Sequence, residues 1–216
     1  MFQFSTRTEV NKQFKLTDLY KQMNATKEAK KEASCIDKVV LKNVLSPNTL
    51  YCEPQKCVKE VYVFEITVNT QTVPELFIKE LDNSIKLHTL FVIKYDNLEI
   101  MMLSYKNATF KGKYYQTNWE QNVSYDVPLV NSVPELYKHI LSKFLKYPPF
   151  ESEDVDAYVK RNNALNKLDF QISKTESAIA YETQSKKRFE YNARLKQYKE
   201  EREKLLEGNN DIWIEV

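Results

Sequence analysis

Glycine is nearly missing from this chain, since Gly112 and Gly208 are the only two in 216 residues. Loops that bind nucleotide phosphates need several glycines close together, because the backbone must turn sharply and approach the phosphate. The sequence therefore excludes a P-loop and a dinucleotide-binding fingerprint.

Cysteine and histidine are also scarce, with three and two residues respectively. Cys52 and Cys57 have a spacing compatible with a metal, but a structural zinc needs four ligands and no second Cys or His pair lies nearby. His88 and His139 belong to no Ser-His-Asp or Cys-His signature. We therefore predict no metal site and no cofactor, and structural roles for both histidines.

Long apolar runs are missing too. The longest clusters, such as residues 90–93, have the length of a strand, whereas a membrane-spanning helix needs roughly 18 apolar residues. The first twelve residues are polar and lack the apolar segment of a secretory signal, and an odd number of cysteines fits a reducing compartment. The sequence predicts a soluble, cytoplasmic protein that does not bind membranes.

The charges are close to balance, with 32 basic and 30 acidic side chains and a net charge of +2. Residues 1–150 carry 20 basic and 16 acidic side chains, so the positive excess lies in this part of the chain. A DNA-binding domain usually carries a stronger and more concentrated positive charge. Composition alone therefore does not indicate a protein that binds nucleic acid.

Hydrophobic periodicity divides residues 1–150 into short helices and strands. Pro74 and Pro134 each occupy a plausible first helical position, and the Asp-Asn pair at 96–97 is typical of a hairpin tip. The order of the elements predicts an α+β domain with a mostly antiparallel sheet and helices on one face. The predicted helices cover residues 14–23, 26–34, 74–86 and a stretch from 134 to the prolines at 148–149, and the predicted strands cover 36–45, 61–68, a hairpin at 87–106 and 113–120.

Residues 151–207 contain neither glycine nor proline, which predicts a long helical arm. Apolar residues recur there at alternating steps of three and four, which is the pattern of a coiled-coil seam. The polar stretch 182–188 interrupts the pattern, so either two helices form an antiparallel hairpin, which is the favoured alternative, or one helix of about 80 Å pairs with a partner. The seam residues are Leu165, Leu168, Ile172, Ile179, Tyr191, Leu195, Tyr198 and Leu205.

The chain is thus predicted to have three parts: a globular domain at 1–150, the arm at 151–208, and a tail at 209–216. The tail is apolar and strand-like. We expect it to dock on a sheet edge or on a partner.

Glu65 is the one carboxylate inside the apolar strand at 61–68. A metal-dependent nuclease of the restriction type needs an acidic residue on one strand and an acidic-x-Lys triplet on the next, where the lysine positions the attacking water. Residues 65–67 lack that lysine, and Lys106 of the neighbouring hairpin is the candidate amine. Glu65 with Lys106 therefore defines an alternative, enzymatic hypothesis.

Aromatic and basic residues are interleaved around the last predicted strand of the sheet. Such a cluster stacks bases and contacts phosphates in single-strand-binding proteins, whereas in an ordinary sheet the rings pack and the lysines reach solvent. Packing is the favoured alternative, and a nucleic-acid-binding module is a third hypothesis. The cluster consists of Tyr105, Lys106, Lys111, Lys113, Tyr114, Tyr115 and Trp119.

Several short motifs are found at residues 8–12, 63–66, 90–92, Tyr95, 105–106, Thr117, Trp119 and 189–195. Together they resemble a bacterial family defined only as a domain of unknown function, DUF4391. The resemblance covers most of the chain. It implies an association with restriction or phage-defence loci, because members of the family tend to be encoded beside helicases and DNA methyltransferases. It implies no catalytic residues, because no activity is established for the family.

The missing catalytic signatures, the helical arm and the resemblance together favour one hypothesis over the two alternatives. We expect a noncatalytic accessory subunit of a restriction or phage-defence assembly, with a helicase or a DNA methyltransferase as its partner. A homodimer through the arm is the other expected association.

Overall fold

The computed structural model of the protein describes residues 2–55, 57–107, 113–121 and 124–208. The chain divides into two compact units, Met1–Phe144 and Leu145–Val216. The predicted tail at 209–216 lies outside the described residues, as does Lys111.

The first unit contains a seven-stranded sheet and five helices among its described residues. The strands are β1 (Glu9–Phe14), β2 (Ile36–Leu45), β3 (Val61–Val68), β4 (His88–Tyr95), β5 (Leu98–Ser104), β6 (Tyr114–Gln116) and β7 (Glu120–Gln121). The helices are α1 (Leu16–Gln22), α2 (Lys27–Glu32), α3 (Pro47–Leu50), α4 (Glu75–Ser84) and α5 (Val133–Leu141).

The strands follow the order β1-β2-β3-β4-β5-β6, and β7 pairs with β5. All neighbours are antiparallel except β3 and β4, which are parallel and are therefore connected by a crossover helix, α4. The predicted hairpin is confirmed as β4 and β5, and its tip residue Asp96 has a φ of 51°. The predicted fold class, α+β with a mostly antiparallel sheet, is confirmed.

One face of the sheet packs against α1, α2 and α4 in a buried apolar cluster. From α4 this cluster takes Phe77, Ile78 and Leu81, which meet Phe64 and Ile66 of β3. Burying a side chain of this size stabilises the fold by about 1.5–3 kcal/mol. The crossover helix is therefore fixed to the sheet along its apolar side.

Helix α5 packs at the opposite face. Its buried Tyr137 lies with its ring centroid 4.9 Å from that of His88 and 6.2 Å from that of Tyr105. These two residues alternate with the residues that face α4, so they belong to the other side of the sheet. Helices α1, α2 and α4 lie on one face of the sheet, as predicted. Helix α5 was also predicted as a helix, but it lies on the opposite face.

Strand β1 was missed by the sequence prediction. It pairs with β2 at the edge of the sheet, and its side chains are exposed on both faces except for the half-buried Phe14. Periodicity detects a strand only where one face is buried, and β1 has no such face. A register shift between Glu9 and Lys12, with Asn11 at a φ of 52°, interrupts the strand further.

The second unit contains two long helices, α6 (Val155–Tyr181) and α7 (Ser185–Leu206), which are about 40 Å and 33 Å long. Asp169 contacts Arg202 and Glu176 contacts Lys199, so the two helices run antiparallel. The favoured prediction of a helical hairpin is confirmed. The turn at residues 182–184 lies in the polar stretch that interrupts the apolar pattern.

The base of the hairpin is held by the segment that precedes α6. Arg161 is buried in α6, pairs with Glu153 at 2.8 Å, donates to the carbonyl of Pro148 at 2.7 Å and stacks over the ring of Phe150 at 4.0 Å. A buried guanidinium needs such partners, because desolvation without them costs several kcal/mol. Arg161 therefore fixes residues 148–153 against the first turns of α6.

Asp169 connects the two helices near the same end. It accepts hydrogen bonds from Arg202 of α7 at 2.9 Å, from Lys146 and from Tyr147. Desolvation raises the pKa of Asp169, but the three hydrogen bonds lower it by more than desolvation raises it. The pKa therefore falls from its usual 3.8 to about 2. The carboxylate therefore stabilises the folded hairpin at neutral pH.

Because the pKa of Asp169 is lowered by folding, its contribution is complete above about pH 4 and is lost as the pH falls toward 2. We expect Asp169→Asn to lower the free energy of unfolding by about 1 kcal/mol at pH 7, after allowance for solvent screening, and the difference from wild type to shrink between pH 4 and 2. Urea unfolding followed by circular dichroism at three pH values measures this. The control is Glu176→Gln, whose exposed pair with Lys199 contributes little. A difference that is independent of pH would contradict the assignment.

Candidate functional site

A buried carboxylate occupies the last turn of the crossover helix α4. Asp82 is 1% exposed and accepts hydrogen bonds from Thr89 of β4, from Ser104 of β5 at 2.6 Å and from the Tyr114 hydroxyl of β6 at 2.8 Å. The Nζ of Lys106 lies 2.7 Å from the same carboxylate. One side chain thus connects α4 to three strands.

Lys106 also caps the end of the helix. Its Nζ donates to the carbonyl oxygens of Asp82, Ile85 and Leu87 at 2.7–2.8 Å. The last carbonyls of a helix have no partner within the helix and carry partial negative charge, so an ammonium group there is stabilising. At the other end of α4 the carboxylate of Glu32 accepts from the Leu76 N–H at 2.7 Å. Both ends of the crossover helix are therefore compensated by charge.

The electrostatics of this centre follow from burial and the Asp82 charge. Burial lowers the pKa of Lys106, and the nearby Asp82 opposes that change. Burial and the same carboxylate both raise the pKa of Tyr114, which keeps its hydroxyl as a hydrogen-bond donor. Each donor already has an acceptor, so the centre consists of mutually satisfied polar groups.

A pocket of about 370 Å³ opens beside this centre and is lined by Asn83, Lys86 and Asn107 in addition to the residues already described. Its inner wall consists of Asp82, Lys106 and Tyr114. These groups are engaged with one another or with backbone carbonyls, so none presents a reactive atom without breaking the network that holds α4. The geometry fits a structural polar core better than a catalytic one.

A second charged centre lies on the opposite face of the sheet. Lys94 of β4 bridges two carboxylates, at 2.8 Å from Glu65 of β3 and 3.3 Å from Glu99 of β5. Burial lowers the pKa of Lys94, but the two carboxylates raise it more, so it is raised overall. A pocket of about 590 Å³ adjoins the centre and includes Lys42 and Asp96 in its lining.

The two residues of the nuclease hypothesis are not brought together. Glu65 lies on the face that carries Lys94, whereas Lys106 lies on the face that carries Asp82. The amine beside Glu65 is Lys94, from the neighbouring parallel strand, which the sequence prediction did not consider. Within residues 2–55, 57–107, 113–121 and 124–208, no group of three or more His, Cys, Asp or Glu side chains is arranged to hold a metal ion.

The aromatic and basic cluster is used largely for internal contacts. Tyr105 is 3% exposed and stacks on His88, while Lys106 and Tyr114 are engaged with Asp82. Of the rest, Tyr115 and Trp119 are half-buried, and Lys113 is exposed, with its ammonium 5.2 Å from the centroid of the Tyr115 ring. These described members therefore present no continuous stacking surface.

The family model for a domain of unknown function, DUF4391, matches residues 2–201. The chain belongs to the DUF4391 family. No curated protein and no solved structure matches it. The family match extends from the first strand well into α7, so the helical arm is part of this DUF4391 domain. Among the described helices, none is long and apolar enough to cross a membrane.

The seam of the DUF4391 arm is covered unevenly. At the base, Leu165, Leu168 and Leu205 are buried together with Tyr147, which precedes α6 and supplies a third layer. Farther from the base the apolar side chains are only half-buried between the two helices. We call four of them the distal seam: Ile172, Ile179, Tyr191 and Leu195. Tyr198 is also half-buried but packs against the cluster at the base.

Three large side chains of the arm are exposed outside the seam. Phe170 is 68% exposed, Tyr181 88% and Phe189 76%. The sequence prediction missed them because it followed the seam period, and these residues depart from it. The signal that reveals them is an aromatic residue at a position where the period expects a polar one.

Asp82 provides a test of whether the buried centre is structural. Asp82→Ala leaves the Lys106 ammonium and three hydroxyls without their carboxylate, so we expect the free energy of unfolding to fall by about 3–5 kcal/mol. The measurement is urea unfolding followed by circular dichroism. Glu75→Ala, in the exposed first turn of the same helix, is the control and should cost less than about 1 kcal/mol. A variant at Asp82 as stable as wild type would exclude the structural role.

Proposed function

We propose that the protein is a noncatalytic accessory subunit that binds a partner protein along the distal seam of its helical arm. The observation that supports this proposal is the contrast along the seam. At the base, Tyr147 completes the burial of the leucines, whereas the distal seam is left half-covered. The partner supplies the missing layer.

The physical reason lies in the geometry of helix packing. Two helices cover only part of each other's apolar stripe, since a stripe on a globular helix is at least about 100° wide. A third helix placed over the groove between them buries the remainder, as in three- and four-helix bundles. The fitting partner element is therefore an amphipathic helix with apolar residues at three- and four-residue spacing.

The chemistry of the two charged centres agrees with a noncatalytic role. Asp82 and Lys106 satisfy each other and the end of α4, and Glu65 is engaged by Lys94. A catalytic acid, base or nucleophile must instead reach the substrate with an available lone pair or proton. Among the described residues, the distal part of the arm is left without a complete set of apolar contacts.

The resemblance described above extends the proposal to the class of assembly. We propose a restriction or phage-defence assembly in the cytoplasm, with a helicase or a DNA methyltransferase as the partner. A second copy of the chain would also supply two amphipathic helices, so a homodimer is the competing occupant of the same seam.

The test is a pull-down of the tagged full-length protein from its native host, with nuclease treatment and identification of the recovered proteins by mass spectrometry. We expect a helicase or methyltransferase in stoichiometric amount. The variant Ile172→Ser with Leu195→Ser should lower its recovery at least about tenfold, because two large apolar contacts are lost.

The matched control is Phe170→Ser, which removes an exposed aromatic residue from the same helix outside the seam and should leave recovery unchanged. Circular dichroism verifies that each variant keeps its helix content. Recovery of the bait alone, together with a dimeric mass by light scattering, would overturn the partner proposal in favour of the homodimer. Equal recovery with the seam variant and wild type would exclude the seam as the binding surface.

A further inference from the structure

Charge is segregated along the helical arm. Residues 181–196 contain five basic and two acidic side chains, a net charge of +3, whereas residues 197–207 contain three basic and four acidic side chains, a net charge of −1. The whole chain has a net charge of only +2. The hairpin tip, which we define as residues 181–196, is therefore a local concentration of positive charge.

The cations of the two ends are used differently. Nearer the base, Arg202 pairs with Asp169 at 2.9 Å and Lys199 with Glu176 at 2.8 Å. At the tip, Lys196 pairs with Glu200 at 3.8 Å, whereas the other four basic side chains are exposed and take part in no ion pair among the described parts of the chain. They are Lys186, Lys187, Arg188 and Arg194.

Two exposed aromatic rings lie among these cations. Tyr181 ends α6 and Phe189 lies in the first turns of α7, on the two sides of the three-residue turn. They are 88% and 76% exposed, so their ring faces are open to solvent. Phe189 is three positions after Lys186, which places the ring and the ammonium on the same side of α7.

We propose that the hairpin tip binds single-stranded nucleic acid. Unpaired cations neutralise successive phosphates, and open aromatic faces stack unpaired bases. In a duplex the bases are already stacked on one another, so the exposed rings specify a single strand. A membrane surface fits less well, because two aromatic side chains supply too little apolar surface for an amphipathic helix to enter the bilayer.

The tip borders the proposed protein-binding seam, because Tyr191 and Leu195 of the seam lie within residues 181–196. Phe189 and Tyr191 are two positions apart and therefore lie about 200° apart around α7. Lys187, Arg188 and Arg194 are three or four positions from Tyr191 and therefore border the seam. A helix packed over the distal seam leaves Phe189 and Lys186 open on the other side of α7. The tip shares no residue with the aromatic and basic cluster on the sheet, in which Tyr105, Lys106 and Tyr114 are engaged internally.

The test is fluorescence anisotropy of the full-length protein with labelled oligothymidylate and oligouridylate of ~20 nucleotides. We expect saturable binding. The logarithm of the association constant should fall with the logarithm of the salt concentration at a slope of about −3, since each of four phosphate contacts on a single strand contributes about −0.7. Charge reversal by Lys186→Glu with Arg194→Glu should weaken binding at least tenfold and roughly halve that slope. Phe189→Ala should weaken binding about tenfold with the slope unchanged, because it removes stacking alone.

The matched control is Lys160→Glu with Lys167→Glu, which makes the same change of charge at exposed positions of α6 outside the tip. It should retain at least half of the affinity. Equal losses of oligonucleotide affinity in the tip and control variants would show that binding depends on the overall charge of the protein. That result would overturn the proposed site. Binding to vesicles of anionic lipid without binding to the oligonucleotides would overturn the choice of ligand.

Failure of this inference is distinguishable from failure of the proposed function. Phe189→Ala lies on the side of α7 away from the seam and should still recover the partner protein, and Ile172→Ser with Leu195→Ser should still bind the oligonucleotides. Loss of both activities in both variants, with helix content retained, would contradict the separation of the two surfaces.

Discussion

The ion pair between Lys106 and Asp82 at the end of α4 is the interaction on which the first unit depends most. The parallel pairing of β3 and β4 exists only because α4 crosses over one face of the sheet, and such a helix must be fixed at both ends. Apolar packing holds α4 against the sheet along its whole length. Lys106 holds the carboxyl end of α4 by binding three carbonyl oxygens and one carboxylate. Asp82, the helix partner in this ion pair, also accepts hydrogen bonds from Thr89 of β4, Ser104 of β5 and Tyr114 of β6 and so connects the helix to three strands.

Sequence patterns predicted most elements of the fold, and the exceptions have physical reasons. Strand β3 is buried on both faces and shows in the sequence as a short apolar run, and the amphipathic helix α4 has a period that can be read directly. Strand β1 has no buried face, so it carries no period. The parallel crossover was not predicted either, because strand direction depends on which neighbours pair, and periodicity is the same for both directions.

The candidate site was less predictable than the fold. Lys106 was singled out, but its partner Asp82 was not, because a carboxylate on an amphipathic helix looks like part of a solvated face until the strands are placed around it. Glu65 was also singled out, and its amine proved to be Lys94 across a parallel strand pair, a contact between residues far apart in sequence. The seam of the arm, by contrast, depends on local spacing, which is read directly from the sequence.

The polar edge strand β1 has a consequence for how copies of this protein meet one another. An open strand edge is a template for pairing with another chain, and proteins block it with charged side chains and irregular backbone. Strand β1 has both, with Glu9 and Lys12 at its register shift and Asn11 in a left-handed conformation. Sheet extension is thereby discouraged at this edge, so crowding the protein at high concentration does not favour fibrils that begin there.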